Sequence, residues 1–358
     1  MTSLQHEITK TNLHETQWVD QSLPALADGA VRLRLDAFAL TANNVTYAVF
    51  GGPPMHYWNF FPAMDESHGR VPVWGFATVA ASNIDGINPG QRFYGYYPIA
   101  QHLDVTPVRV SPGGFMDGAA HRQGLAPIYN TYVSTEHDPS YDGDHEAQQM
   151  LFRPLYLTGW MICDSLVQGT PKPDTVIISS ASSKTALATA HNLKSNGIHT
   201  VGLTSPGNKA FVETSSLYDE TCVYDELADL NVTGNAAYVD FVGRPDISLR
   251  VHTQFGNNLK RSMIIGATDW SADRTPTDPL PGPVPEFFFV PDYAAERAKT
   301  MQPGELERTM VKDLRAFYPV SKNFVTPEEV VGTDAIDKAW QATLDGNISP
   351  TRGLICSF

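Results

Sequence analysis

One stretch of the 358-residue chain constrains the fold more than any other, the segment 175–197, TVIISSASSKTALATAHNLKSNG. Thr175 to Ser180 is a continuous apolar and β-branched run, which is typical of a parallel strand buried on both faces. Helical spacing follows from Lys184 to Asn196, and Gly197 is well placed to end that helix. A strand, a turn of small residues and a helix in this order predict one βα unit of a parallel sheet.

The chain on either side of this segment shows two kinds of sequence pattern. After Leu151, further buried strands are predicted at His199–Thr204, Ala237–Val242, Ser262–Ala267 and Phe287–Val290. Helices are predicted over 292–317 and 333–344, and a last strand at Gly353–Phe358. Residues 29–40 and 71–110 instead contain short strands broken by Gly and Pro, which favours a small barrel or sandwich. The sequence therefore predicts an α/β protein with a strand-rich domain and a doubly wound parallel sheet.

Composition excludes several classes of function. Acidic residues outnumber basic ones by 39 to 25, for a net charge of −14, and such a field repels nucleic acid and anionic membrane surfaces. No apolar run reaches the ~18 residues that span a bilayer. The first residues lack the order of a signal peptide, so a cytoplasmic location is expected. The three cysteines lie far apart and predict neither a disulfide framework nor a metal site.

The turn after the first strand of the parallel sheet is the main candidate for a phosphate site. Backbone amides at the start of a helix bind phosphate well, and hydroxyl and ammonium groups can add to them. The candidate contacts are Ser180, Ala181, Ser183, Lys184 and Thr185. The three glycines of the usual dinucleotide motif are absent. An ordinary polar turn between strand and helix is therefore an open alternative.

The turn after the second strand carries no carboxylate. An acidic residue there binds the ribose hydroxyls in NAD-preferring sites. The residues present are hydroxyls, an amide and a cation, at Thr204, Ser205, Asn208 and Lys209. This set favours the 2′-phosphate of NADP, and the alternative is an exposed turn with a surface lysine.

Several segments together resemble the medium-chain dehydrogenase/reductase superfamily, in its zinc-independent, quinone-reductase-like part. The segment LTANNVTYAVFG at 40–51 is similar to a conserved Asn-Asp segment of that superfamily, and VWGFATVAASNIDGINPGQRFY at 73–94 to its barrel stretch. LYLTGWMICDSL at 155–166 resembles the helix before the nucleotide strand. The chain lacks a Cys near Ala42, and Glu66-Ser67-His68 has the wrong order for the Gly-His-Glu motif of zinc-dependent members, so no metal is expected.

The resemblance implies a GroES-like β-rich domain, over 1–152 and 319–358, that holds the substrate. It also implies a Rossmann-type dinucleotide-binding domain over 153–318 and a possible homodimer. Further cofactor contacts are implied after the fourth and fifth strands, at Val242, Gly243, Gly266 and Thr268.

An aromatic insert at 52–63, GPPMHYWNFFPA, distinguishes the chain and resembles a poorly characterised branch of the superfamily. Its aromatic side chains either line an apolar substrate pocket or pack against the barrel, and the two interpretations are compatible. The candidates for polarising a carbonyl or delivering a proton are Tyr57, Tyr47 and His56, with Asn44 as an orienting donor.

The expected function is a zinc-independent, NADP(H)-dependent oxidoreductase that reduces a carbonyl or an enone of a hydrophobic small molecule. The missing glycines motivate an alternative, in which the same fold serves a lyase, a hydrolase or a ligand-binding protein whose cofactor binding is weakened or lost.

Overall fold

The computed structural model describes residues 2–53, 55–266 and 279–358. They belong to two compact units. Unit 1 combines the N-terminal segment up to Leu151 with Thr326–Phe358, and unit 2 is Phe152–Val325. The assignment of a substrate role and a nucleotide role, divided at residues 152 and 318 from the sequence, remains a prediction.

The N-terminal segment is rich in strands. They are β1 (Thr2–Thr9), β2 (Asn12–Ser22), β3 (Val31–Leu40), β4 (His68–Gly69), β5 (Pro72–Ser82), β6 (Arg92–Pro98), β7 (His102–Val105), β8 (Pro107–Ser111), β9 (Gly114–Asp117) and β10 (Thr131–Ser134). A short helix, α1 (Ala42–Val49), follows β3, and single 3₁₀ turns lie at Tyr57–Asn59 and Pro127–Asn130.

Strands and helices alternate in the middle of the chain. The elements are α2 (Glu146–Gln168), β11 (Thr175–Ile178), α3 (Lys184–Ser195), β12 (His199–Thr204), α4 (Lys209–Ser215), β13 (Glu220–Val223), β14 (Ala236–Asp240), α5 (Pro245–Phe255), β15 (Leu259–Ile264), β16 (Glu286–Phe287), α6 (Val290–Ala298) and α7 (Glu305–Ser321).

The C-terminal segment completes unit 1 with β17 (Thr326–Val331), α8 (Thr333–Leu344) and β18 (Arg352–Ser357). The larger sheet has the order β17-β18-β3-β5-β6-β10-β9-β8, with β7 also paired to β3, and a smaller sheet has the order β2-β1-β4. β17 and β18 are parallel, whereas β18 joins β3 in antiparallel pairing. The fully buried Trp340 of α8 donates a hydrogen bond from its indole to the carbonyl oxygen of Leu13 at 2.9 Å.

Unit 2 is built on a parallel sheet with the order β13-β12-β11-β14-β15-β16, in which each neighbouring pair is parallel. In order of first appearance this is 3-2-1-4-5-6, the doubly wound arrangement of dinucleotide-binding folds. All four residues of β11 are buried, as the apolar run predicts. The predicted fold class is therefore confirmed.

One predicted strand of unit 2 is wrong over most of its length. The aromatic run Phe287–Val290 contributes only Phe287 to β16, and Val290 already begins α6. Pro291 explains the difference, because a proline in the first turn of a helix needs no hydrogen-bond partner for its nitrogen. Ala267, the predicted last residue of the strand before it, lies outside the described residues.

The aromatic insert of unit 1 is anchored by one indole ring. Trp58 is 8% exposed, and its ring lies against the backbones of Gly51 and Gly69. A Cβ at Gly51 would be 1.9 Å from the indole nitrogen, and one at Gly69 would be 2.3 Å from the ring carbon Cε3. Tyr57, Phe60 and Phe61 are buried beside it, so the aromatic insert packs into the core of unit 1.

The Gly69→Ala variant tests this packing. Its added methyl group would overlap a rigid ring, and overpacking costs about 1–3 kcal/mol, so we expect the midpoint of thermal unfolding to fall by several degrees. Gly52→Ala is the matched control, because a Cβ there meets nothing within 4 Å. Equal unfolding midpoints for the two variants would contradict the placement of Trp58.

Candidate functional site

The strand order of unit 2 reverses direction at β11. Ile178 at the end of β11 is paired with Gly202 of β12 on one side and with Val239 of β14 on the other. In open α/β sheets, ligands bind in the crevice beyond the carboxyl ends of the strands at such a switch point. The turns that follow β11, β12 and β14 therefore form the candidate site of unit 2.

The turn after β11 has a strained residue at its centre. Ser180 has a φ of +50°, in the left-handed region that residues other than glycine seldom adopt. Its backbone N–H donates to the Tyr224 hydroxyl at 2.9 Å, and Ser183 N–H donates back to Ser180 O at 2.8 Å. Burial raises the pKa of Tyr224 to about 12, so its hydroxyl is neutral at physiological pH. Strain of this kind is concentrated at functional sites.

The close packing that the usual motif obtains from glycine in the turn comes here from the neighbouring strand. Ala181 is fully buried, and its backbone oxygen accepts a hydrogen bond from the Tyr218 hydroxyl at 2.9 Å. Gly202 of β12 faces it: a Cβ added there would be 2.9 Å from the Ala181 Cβ and 2.9 Å from the Tyr218 ring. The turn therefore lies tight against the sheet without a glycine of its own.

Helix α3 begins with the candidate phosphate residues. Ser183 is its N-cap, and its hydroxyl oxygen accepts a hydrogen bond from Ala186 N–H at 3.3 Å. Lys184 is the first residue of the helix and Thr185 the second, both half-buried. Burial lowers the pKa of Lys184 to about 8, because a desolvated ammonium loses its proton more readily. An anion beside it would stabilise the charged form.

The turn after β12 touches the turn after β11. The Asn208 side-chain amide donates to the Ser182 hydroxyl at 3.1 Å. Thr204 is buried at the end of β12, whereas Ser205 and Asn208 are half-buried. Lys209 begins α4 and is paired with Glu226 at 3.3 Å, so this cation has an acidic neighbour that its own segment did not reveal.

A buried carboxylate organises the turn after β14. Asp240 Oδ1 accepts hydrogen bonds from the Ser179 hydroxyl at 2.8 Å and from the N–H groups of Val242 and Gly243 at 3.0 Å each. The Asp240 Oδ2 atom accepts from the Ser248 hydroxyl at 3.1 Å. The sequence did not single out Asp240 or Ser179, because these two residues are 61 positions apart along the chain and only the fold brings them together.

Two other expected cofactor contacts lie after β15. Gly266 N–H donates to the backbone oxygen of Asp240 at 3.3 Å, so this residue adjoins the turn after β14. Thr268 lies outside the described residues.

In unit 1, aromatic side chains gather around the aromatic insert. We call Tyr47, Tyr57, Trp74, Tyr96 and Tyr129 the tyrosine cluster. The Tyr57 and Tyr129 hydroxyls are 3.3 Å apart, and the Trp74 indole N–H donates to the Tyr47 hydroxyl at 3.0 Å. Burial is the main cause that raises the pKa of each tyrosine in the cluster. These hydroxyls therefore keep their protons at neutral pH.

The four catalytic candidates have different surroundings. Tyr47 and Tyr57 lie together, with ring centroids 4.7 Å apart. The Asn44 amide closes a capping box with Thr41 at the start of α1 and donates to the Pro72 carbonyl oxygen at 2.8 Å, so its bonds hold the helix in place. His56 is half-buried in a left-handed conformation, with a φ of +56°.

Tyr129 and Trp74 were not among the candidates. Tyr129 reaches the cluster from the turn 127–130, and only the fold brings it near residues 47 and 57. The buried Arg122 fixes it there, donating to the Tyr129 backbone oxygen at 2.6 Å while pairing with Asp117 at 2.8 Å.

Within the described ranges, no three His, Cys, Asp or Glu side chains form a group that could hold a metal ion. Cys163, Cys222 and Cys356 are buried there as free thiols. None of the helices in this part of the chain has the length and apolar character needed to cross a membrane.

Solved structures share this fold over nearly their whole length. CurA from Vibrio vulnificus in complex with NADPH is 13% identical, with a TM-score of 0.66 over 96% of this chain and 94% of that one. The mitochondrial 2-enoyl thioester reductase Etr1p/Etr2p heterodimer from Candida tropicalis is 11% identical, with a TM-score of 0.62 and 100% coverage of both chains. The yhdH oxidoreductase from Salmonella enterica in complex with NADP is 16% identical, with a TM-score of 0.56 and 100% coverage of both.

This likeness shows the fold alone. It confirms the expected architecture, a GroES-like domain with a Rossmann domain. No curated protein matches the sequence significantly. The family described as "Protein of unknown function (DUF2855)" matches residues 38–349, which is most of the chain. The chain therefore belongs to the DUF2855 family.

Proposed function

We propose that the chain is an NADP(H)-dependent oxidoreductase that reduces a carbonyl or an enone of a hydrophobic small molecule. The observation that carries the proposal is the turn from Ser180 to Lys184 at the switch point of the parallel sheet. Proteins of the same fold have been solved with NADPH and with NADP, which supports this choice of cofactor.

The residues of the turn fit a dinucleotide despite the missing glycines. Gly202 leaves room for Ala181, so the backbone stays close to the sheet. Ser180 adopts the left-handed conformation that glycine otherwise supplies in tight turns. Lys184 places a desolvated ammonium at the start of α3, where the helix dipole also favours an anion.

Each turn has its own role in the proposed binding. Lys184, Thr185 and the first N–H groups of α3 hold the pyrophosphate. Ser205 and Lys209 hold the 2′-phosphate. To bind it, Lys209 gives up its ion pair with Glu226. The N–H groups of Val242 and Gly243 remain bonded to Asp240, so these two residues shape the site rather than bind phosphate through their amides.

The reaction needs a hydride and a proton. When bound, NADPH supplies the hydride and with it both electrons of the reduction. Tyr57 supplies the proton: burial raises its pKa, which makes its hydroxyl a donor at neutral pH and not a base.

Titration with NADPH and NADH, followed by nicotinamide fluorescence, tests the proposal. Binding of NADPH at micromolar concentration, followed by its oxidation in the presence of cyclohexenone or benzoquinone, is the expected result. If neither nucleotide binds at high micromolar concentration, the oxidoreductase proposal fails and the non-redox alternatives from the sequence gain support.

Two lysine variants separate the phosphate contacts. Lys184→Met removes the pyrophosphate partner, so we expect it to weaken NADPH and NADH alike, by about tenfold, which corresponds to ~1.4 kcal/mol. Lys209→Met removes the 2′-phosphate partner, so it weakens NADPH selectively. Lys194→Met is the control, because this lysine lies in the last turn of α3 and donates to Ser216 O. Equal effects of all three on NADPH binding would refute the assignment.

Nucleotide affinity is expected to fall as the pH rises above 8. The pKa of Lys184 is about 8 without nucleotide, and a bound phosphate favours the charged form and raises it. Below pH 8 the ammonium is already present; above it, binding must recover a proton, so the Kd increases by up to about tenfold per pH unit. Calorimetric titration from about pH 6.5 to about pH 9.5 would show this increase of the Kd with pH in the parent protein. If the Kd of the Lys184→Met variant increased with pH at the same slope, the role of Lys184 would be contradicted.

Tyr57→Phe keeps the aromatic ring and removes the hydroxyl that would donate the proton. We expect the rate of NADPH oxidation with cyclohexenone to fall by ~10²-fold, the usual contribution of a general acid, with the Kd for NADPH unchanged. Tyr141→Phe serves as the control, because this hydroxyl bonds Glu146 away from the tyrosine cluster. Unchanged turnover in Tyr57→Phe would remove this residue from the mechanism.

A further inference from the structure

We propose that Tyr129 is a positioning residue that acts through Tyr57: it donates a hydrogen bond to the Tyr57 oxygen, which lies 3.3 Å from its own. The role in turnover rests on the proposed function, whereas the hydrogen bond itself does not.

Trp74 fixes one hydrogen bond of the tyrosine cluster because an indole nitrogen donates and never accepts. Its N–H is 3.0 Å from the Tyr47 hydroxyl, in a part of unit 1 where both side chains are less than a tenth exposed. The Tyr47 oxygen is therefore an acceptor, and its own O–H must be directed at a different group. The Tyr129 and Asn43 side chains both lower the pKa of the Tyr47 hydroxyl through hydrogen bonding, so both lie near it.

Tyr129 connects Tyr47 to Tyr57. Its hydroxyl interacts with the Tyr47 hydroxyl and is 3.3 Å from that of Tyr57. If Tyr47 donates to Tyr129, Tyr129 donates to Tyr57, and the Tyr57 proton is left for an acceptor outside the chain. In the reverse direction, Tyr47 donates to Asn43 and Tyr57 donates to Tyr129, so the Tyr57 proton stays within the tyrosine cluster.

The forward direction agrees with the surroundings of Tyr129. Arg122 holds its backbone, so the hydroxyl is fixed relative to Tyr57. The hydrogen bond between the two hydroxyls lowers the pKa of Tyr57 and raises that of Tyr129, as expected where Tyr129 is the donor.

Tyr96 adds a second observation at the same place. Its side chain is fully buried, and its hydroxyl has no hydrogen-bond partner among the described residues. The hydroxyl interacts electrostatically with those of Tyr47, Tyr129 and Tyr57. Buried hydroxyls are nearly always bonded, so the tyrosine cluster retains hydrogen-bonding capacity for a ligand. The ligand chemistry that fits a donated phenol proton is an oxygen without hydrogen, as in a ketone, a quinone or a thioester.

In the proposed reduction, the O–H bond of Tyr57 would break as its proton moved to the substrate, and the bound nucleotide would supply the hydride. Tyr129 would return a proton to the Tyr57 oxygen and would itself be reprotonated from solvent. The sum is one hydride and one proton added to the substrate, with both tyrosines restored.

A fluorinated tyrosine placed at position 57 tests the hydrogen bond without nucleotide or substrate. Fluorination brings the phenol pKa closer to neutrality, so ¹⁹F NMR can follow its ionisation in the folded protein. A hydrogen bond donated by Tyr129 stabilises the phenolate, and its removal in Tyr129→Phe is expected to raise the pKa by about one pH unit. Tyr141→Phe, the matched control, is expected to leave it unchanged.

Each outcome has a defined meaning. An unchanged or lowered pKa in Tyr129→Phe would overturn the proposal, because the Tyr129 hydroxyl would then donate no stabilising hydrogen bond to the Tyr57 oxygen. An equal rise in the Tyr141→Phe control would also overturn it. A failure of NADPH to bind refutes the oxidoreductase proposal and leaves this titration readable, so the two failures are distinguishable.

Discussion

The Asp240 carboxylate accepts hydrogen bonds from the two sides of the switch point, from Ser179 after β11 and from Val242, Gly243 and Ser248 after β14. Asp240 is 5% exposed, and loss of the carboxylate would leave buried donors unpaired at about 1–3 kcal/mol each. Two strand ends are thereby held in register by one side chain. Because the β14 amides are already bonded, our proposal places the anion site on the β11 side of this edge, around Lys184.

The parts of the fold that were predictable are those in which one local pattern decides. β11 and β12 are continuous apolar runs because both faces of a parallel strand are buried. The run at 287–290 has the same composition, yet the proline at 291 lets a helix begin there. Apolar composition alone does not distinguish a buried strand from the start of a helix.

The candidate site was less predictable because its geometry depends on distant residues. Lys184 and Tyr57 stand out as chemical groups in the sequence. By contrast, Asp240 and Tyr129 acquire their importance from partners on other strands and turns. The aromatic insert shows the same limit. Its aromatic rings are buried in the core, as the packing interpretation expects, and the pocket interpretation stays a prediction.

The contact between Ala181 and Gly202 has a consequence for how relatives of this chain are recognised. A methyl group at position 202 would be 2.9 Å from that of Ala181, so there is room for only one of the two methyl groups. The steric requirement for glycine therefore lies at position 202 of β12, where a Cβ would also be 2.9 Å from the Tyr218 ring whatever residue stood at 181. A motif that examines only the turn after β11 misses a glycine that stands on the neighbouring strand.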